Sequence, residues 1–144
     1  MPHLVILYTA QLDAETDMSA LCRRLADTML AVTDEAGLPV FPPGGTRVLA
    51  YPAAHYAVAD GGAAGRAAGG NGDYAFVYLN LRMGRGRSNA TQKRAGDALM
   101  NCARAHFDAV FERRHIGITL QIDEGPEVFD AKHSNLHPLF KKPV

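Results

Sequence analysis

Cysteine is scarce in this chain. Cys22 and Cys102 are the only two, and they have neither the close spacing of a metal-binding pair nor the density of a disulfide scaffold. Both fall on apolar helix faces and read as reduced core thiols. An excess of charge of one sign is also lacking. Fifteen Lys and Arg offset fifteen Asp and Glu for a formal net charge of zero, whereas a general polyanion binder is usually basic, so no nucleic-acid partner is expected. No run approaches the ~18 apolar residues of a membrane span, and Leu4 to Leu7 lacks the charged leader and the length of a signal peptide. No membrane partner is expected, and the expected compartment is the cytoplasm. What is present, 47% apolar and 21% charged residues in a chain of 144, suits one globular domain with a proper core and is too short for two ordinary ones.

The first nine residues, Met1-Pro2-His3-Leu4-Val5-Ile6-Leu7-Tyr8-Thr9, form an apolar strand with proline at its head. Removal of Met1, which a small second residue permits, would leave Pro2 as a secondary amine at the end of a buried strand. An α-amino group titrates near ~7.7 to 8.0 in model peptides, and burial beside positive charge disfavours its protonated form, so a base working near neutral pH is within reach. The ring also fixes the direction of the lone pair. Taken alone, proline after methionine more often only sets processing.

Along the chain, Met18, Leu21, Cys22, Leu25, Met29 and Val32 recur at helical spacing after an acidic entry. Asp17 is the expected cap, and Gly37 with Pro39 the expected stop. Phe41-Pro42-Pro43-Gly44-Gly45 turns the chain into a strand opening near Arg47, which ends at Pro52 or resumes through His55 to Val58. Residues 61–72 are nearly all glycine and alanine and read as a mobile loop. Asp73 to Leu81 is a second apolar strand, and the turn Met83 to Ser88 is followed by a helix with the stripe Ala95, Leu99, Cys102, His106 and Val110, which Ser88 would cap. Ile116, Ile118, Leu120 and Ile122 alternate with polar or small residues, as in a strand with one buried face.

Strand, helix, strand thus occurs twice, in residues 1–60 and 73–124, and each unit predicts a right-handed βαβ crossover with parallel strands. The expected fold is α+β, a four-stranded mixed sheet with two helices on one face. Its other face also carries apolar residues, which other subunits in a closed ring would cover. Residues 125–144 have apolar anchors without a period and predict an arm docked on this chain or on a neighbour.

Two arginines stand out. Pro2 and Arg47 both lie at strand beginnings of one parallel unit, hence at one end of the sheet. Arg87 closes the turn Gly84-Arg85-Gly86-Arg87-Ser88, ahead of a helix whose first amides also favour anions. Guanidinium groups there would hold carboxylates and disfavour protonation of a neighbouring amine. Singly, each is more often a solvated surface cation. The cluster Arg82, Arg85, Arg87, Lys93 and Arg94 lacks a phosphate-binding fingerprint. His133 and His137 are spaced for a metal only if helical, and Pro138 with no third ligand argues for a structural tail. His3 likewise reads as structural.

The start Met1-Pro2-His3, the Phe41-Pro42 turn leading to Arg47, the run Asp73-Tyr74-Ala75-Phe76-Val77, the Gly86-Arg87-Ser88 turn and the tail Asn135-Leu136-His137 together resemble the 5-carboxymethyl-2-hydroxymuconate Δ-isomerases of the tautomerase superfamily, over nearly the whole chain. The resemblance implies a homotrimer of double βαβ subunits, no cofactor and no metal. It implies Pro2 as general base, with Arg47 and Arg87 holding the carboxylates of a small unsaturated di- or tricarboxylate, in homoprotocatechuate catabolism. Residues 61–72 are longer than that pattern requires, and at the mouth of the site they would change the substrate. The competing reading is a catalytically silent trimeric module whose arginines hold an anionic metabolite.

Overall fold

The computed structural model describes residues 2–125 and 128–141; Met1 and, within the expected arm, positions 126–127 and 142–144 lie outside the described residues. Four strands, β1 (His3–Thr9), β2 (Arg47–Ala53), β3 (Ala75–Met83) and β4 (Ile116–Glu124), form one sheet in the order β2-β1-β3-β4. β1 pairs with β2 in parallel, β3 with β4 in parallel, and β1 with β3 antiparallel. Each βαβ unit is therefore parallel within itself, and the antiparallel seam between the units makes the sheet mixed. Pro52 is accommodated inside β2 because that strand lies at the sheet's edge, where a missing amide donor is tolerated. Residues 55–58 do not resume the strand.

The helices α1 (Met18–Ala31) and α3 (Asn89–Arg113) pack on one face of the sheet, α1 over β2 and α3 over β4, and they touch each other. Between them and the sheet lies the core. Leu4, Ile6 and Tyr8 of β1 and Val77, Leu79 and Leu81 of β3 point into it, as do Leu21 and Leu25 of α1 and Leu99 and Phe107 of α3. Both expected caps are in place, because Asp17 accepts a hydrogen bond from the Ala20 amide at 3.0 Å and Ser88 from the Thr91 amide at 3.1 Å. Such caps are worth about 1 kcal/mol each.

Three local expectations are corrected. α1 ends at Ala31, before Gly37, because the chain folds back in a turn in which the Asp34 carboxylate accepts from the amides of Ala36 and Leu38, both at 2.9 Å. Along α3 the centre of the buried stripe runs through Ala103 and Phe107, with Cys102 and His106 at its margin. His106 is only partly buried and shares a 2.8 Å hydrogen bond with the Thr16 hydroxyl. The Gly/Ala segment holds a short helix, α2 (Ala63–Ala67), where the sequence suggested only loop. Asp60 accepts from the amides of Gly62 and Ala64, and the Gly65 amide donates to the Tyr74 hydroxyl at 2.8 Å.

In-register neighbours point to the same face, so Val5, Leu7, Leu49, Tyr51 and Tyr78 lie on the face away from the helices. Toward β4 that face turns polar, where Tyr78 donates to Gln121 at 2.7 Å and Asn80 to Asp123 at 2.8 Å. Of the arm, Val128 and Phe129 are exposed and do not anchor on this chain, whereas the turn His137–Phe140 packs on the turn Pro43–Gly45. Gly44 makes that contact possible, since a Cβ there would sit 2.6 Å from His137 Nδ1. Among the described residues no helix is long and apolar enough to cross a membrane.

Candidate active site

Strand register builds the site. His3 stands opposite Arg47 on one side and Arg82 on the other, and Arg82 opposite Asp123, so one row across the sheet reads Arg47, His3, Arg82, Asp123, all on the face away from the helices, with strands about 4.8 Å apart. The antiparallel β1–β3 seam also brings the C-terminal end of β3 beside the start of the chain. Pro2, buried, heads β1 there. Arg87 arrives four residues after β3, through a turn in which Gly86 has φ of 104°, a left-handed value suited to glycine.

Pro2 and Arg87 line one cavity of about 300 Å³, together with Phe41, Met83, Lys132 and His137. One Arg87 N–H donates to the Val40 carbonyl at 3.0 Å, which holds the guanidinium against the turn before Phe41. The helix start beside it is tied down by Glu35, which accepts from Ser88 and, at 3.0 Å, from Thr91. Those hydrogen bonds, Ser88's foremost, hold the Glu35 carboxyl below the usual carboxylate range.

A second cavity, of about 360 Å³, is lined by His3, Arg47, Arg82, Asp130, Lys132 and Met83. Met83 and Lys132 belong to both cavities, so the two adjoin. Arg47 donates to the Gly45 carbonyl at 3.3 Å. Burial foremost, and next the Arg47 charge, lower the His3 pKa; the Arg82 charge contributes less, and Asp130 opposes. The ring is therefore neutral near pH 7. Lys132 and Asp130 form an ion pair, which lowers the Asp130 pKa.

The structure thus brings Pro2 and Arg87 into one cavity and Arg47 into the adjoining one. Residues 61–72 line neither; α2 packs on Tyr74 and His115, beside the opposite end of β3. The basic cluster is dispersed, since Lys93 pairs with Asp97 at 2.6 Å and Arg94 donates to the Thr33 carbonyl at 2.6 Å. Sequence reasoning missed the parts played by His3, Lys132 and His137 as lining residues. His137 Nε2 is buried with no hydrogen-bond partner among the described residues. The only signal for these tail residues was the Asn135-Leu136-His137 motif, because the tail has no periodicity. No group of three or more potential metal ligands is found among the described residues.

The four-stranded double βαβ fold is tautomerase-like, and the class is that of an isomerase. The model of the 5-carboxymethyl-2-hydroxymuconate isomerase family matches residues 2–140, and the chain belongs to that family. It is 28% identical over 141 residues to the 5-carboxymethyl-2-hydroxymuconate Delta-isomerase of Escherichia coli, covering 98% of this chain and 100% of that one. The crystal structure of a 5-carboxymethyl-2-hydroxymuconate delta-isomerase superposes with a TM-score of 0.96 at 62% identity, covering 100% of this chain and 95% of the other. A 5-carboxymethyl-2-hydroxymuconate isomerase from Deinococcus radiodurans R1 does so with 0.80 at 34% identity, covering 98% and 95%.

Proposed function

We propose that this isomerase ketonises 5-carboxymethyl-2-hydroxymuconate in homoprotocatechuate catabolism, with the nitrogen of Pro2, freed by removal of Met1, as general base. The observation that carries the reading is the cavity shared by Pro2 and Arg87, with Arg47 next to it. The amine takes the proton of the substrate's 2-hydroxyl, and the electron pair left behind spreads along the dienolate. The resulting ammonium returns the proton to carbon 5, which leaves a 2-oxo group conjugated with one remaining double bond. No redox change and no second reactant are needed. Arg47 and Arg87 hold carboxylates in charge-assisted hydrogen bonds, and the one nearer the 2-oxygen stabilises the negative charge that develops there.

The test follows the dienol's ultraviolet absorbance with protein whose mass shows that it begins at Pro2. Catalysed ketonisation is expected. Binding of the dienol without turnover would instead establish the silent anion-binding module.

The assembly belongs to the same proposal. Leu7, Leu49 and Tyr51 are 48%, 47% and 51% exposed on the sheet face that the helices leave open, and a closed trimer would cover them. Sedimentation at micromolar concentration is expected to give three times the chain's mass; a stable, active monomer would show that subunits do not cover that face.

A further inference from the structure

The cavity in front of His3 has three cations on its wall, Arg47, Arg82 and Lys132, against the single carboxylate of Asp130. Asp130 is paired with Lys132. Arg82 makes no side-chain hydrogen bond or ion pair among the described residues. A positively charged hollow next to the proposed reacting centre fits an anion, and the two cavities meet at Met83 and Lys132. The substrate class named for this family has three carboxylates: one beside the 2-hydroxyl, and two branching at carbon 5. Arg47 and Arg87 supply only two guanidinium groups for them.

We infer that Arg82 binds the carboxylate of the carboxymethyl arm in the cavity in front of His3, and thereby selects the tricarboxylate over 2-hydroxymuconate, which lacks that arm. The inference rests on Pro2 being the reacting centre. A neutral His3 beside Arg82 adds a polar edge without a further charge. Arg82 is exposed, so water solvates it when the arm is absent, and the selection comes from the charge-assisted hydrogen bond that only the tricarboxylate makes.

Arg82→Gln tests this, since it removes the charge of an exposed side chain and leaves a polar, uncharged one in its place. kcat/KM for 5-carboxymethyl-2-hydroxymuconate is expected to fall about 10- to 100-fold, mainly through KM, as for the loss of one charge-assisted hydrogen bond. kcat/KM for 2-hydroxymuconate is expected to stay within about twofold of the parent's, and this also reports that the variant is folded. Equal falls for both substrates, or no fall for either, would overturn the assignment. Should the unaltered protein turn over neither substrate, the Pro2 reading fails and binding decides the subsite alone, by calorimetric titration of tricarballylate against glutarate. Tighter binding of tricarballylate that disappears in Arg82→Gln supports Arg82 as the ligand, and no difference between the two acids overturns it.

Discussion

Protein that retains Met1 is expected to lose about 10²- to 10⁴-fold in kcat/KM, the usual contribution of a positioned acid or base, with little change in thermal stability. Retention turns the Pro2 amine into an amide, whose nitrogen has no basic lone pair. The strand from His3 onward keeps its pairing with β2 and β3, so the sheet has no reason to weaken. Pro2→Ala is a milder change because it leaves a primary amine at the same place. The pH profile gives an independent reading: the ascending limb of kcat/KM should fall below the ~7.7 to 8.0 of a model amine, because Pro2 is buried and Arg87 lines its cavity. Met1-retaining protein with full turnover would place the base elsewhere.

The second large effect is expected from the arginines. Arg47→Ala and Arg87→Ala should each lower kcat/KM by about 10- to 100-fold or more, from roughly 1.5 to 3 kcal/mol for each charge-assisted hydrogen bond lost. Their partition separates two roles. A rise in KM alone means that the guanidinium grips a carboxylate equally in substrate and transition state, whereas equal falls in kcat and kcat/KM mean that it helps only as the dienolate forms. Arg87 shares the Pro2 cavity and is the better placed for the second role; Arg47 lies across the shared wall. Full activity in both variants would remove these cavities from consideration as the reacting site.

Much of the fold was legible because its signals are local. Asp17 and Ser88 announce their helices by capping chemistry that acts within three residues, and the alternation of Ile116 to Ile122 needs only one buried face. Parallel pairing within each unit followed from crossover length. The encounter of Pro2 with Arg87 was less legible, because it depends on β1 and β3 running antiparallel, a choice set by the packing of the two units and not by either strand's own pattern. Arg82 was passed over for the same reason: in sequence it is one cation in a basic turn, and only the register with His3 and Arg47 gives it a neighbourhood. Lys132 and His137 lie in a tail held by fit, His137 over Gly44, and such a fit leaves no period to read. The Gly/Ala segment misled for a related reason, since α2 is stabilised by Asp60 and Tyr74, which lie outside the stretch itself.

The cavity that holds Pro2 is also walled by His137, so the head of the first strand waits for a residue that lies beyond the fourth. At about 5–20 residues per second of synthesis, a nascent chain has its first strand long before it has that wall. A message cut short after β4 would encode all four strands and yet leave the proline facing an unfinished hollow. If the proposed activity holds, ketonisation would report that the chain has reached His137, in a way that a measure of secondary structure would not.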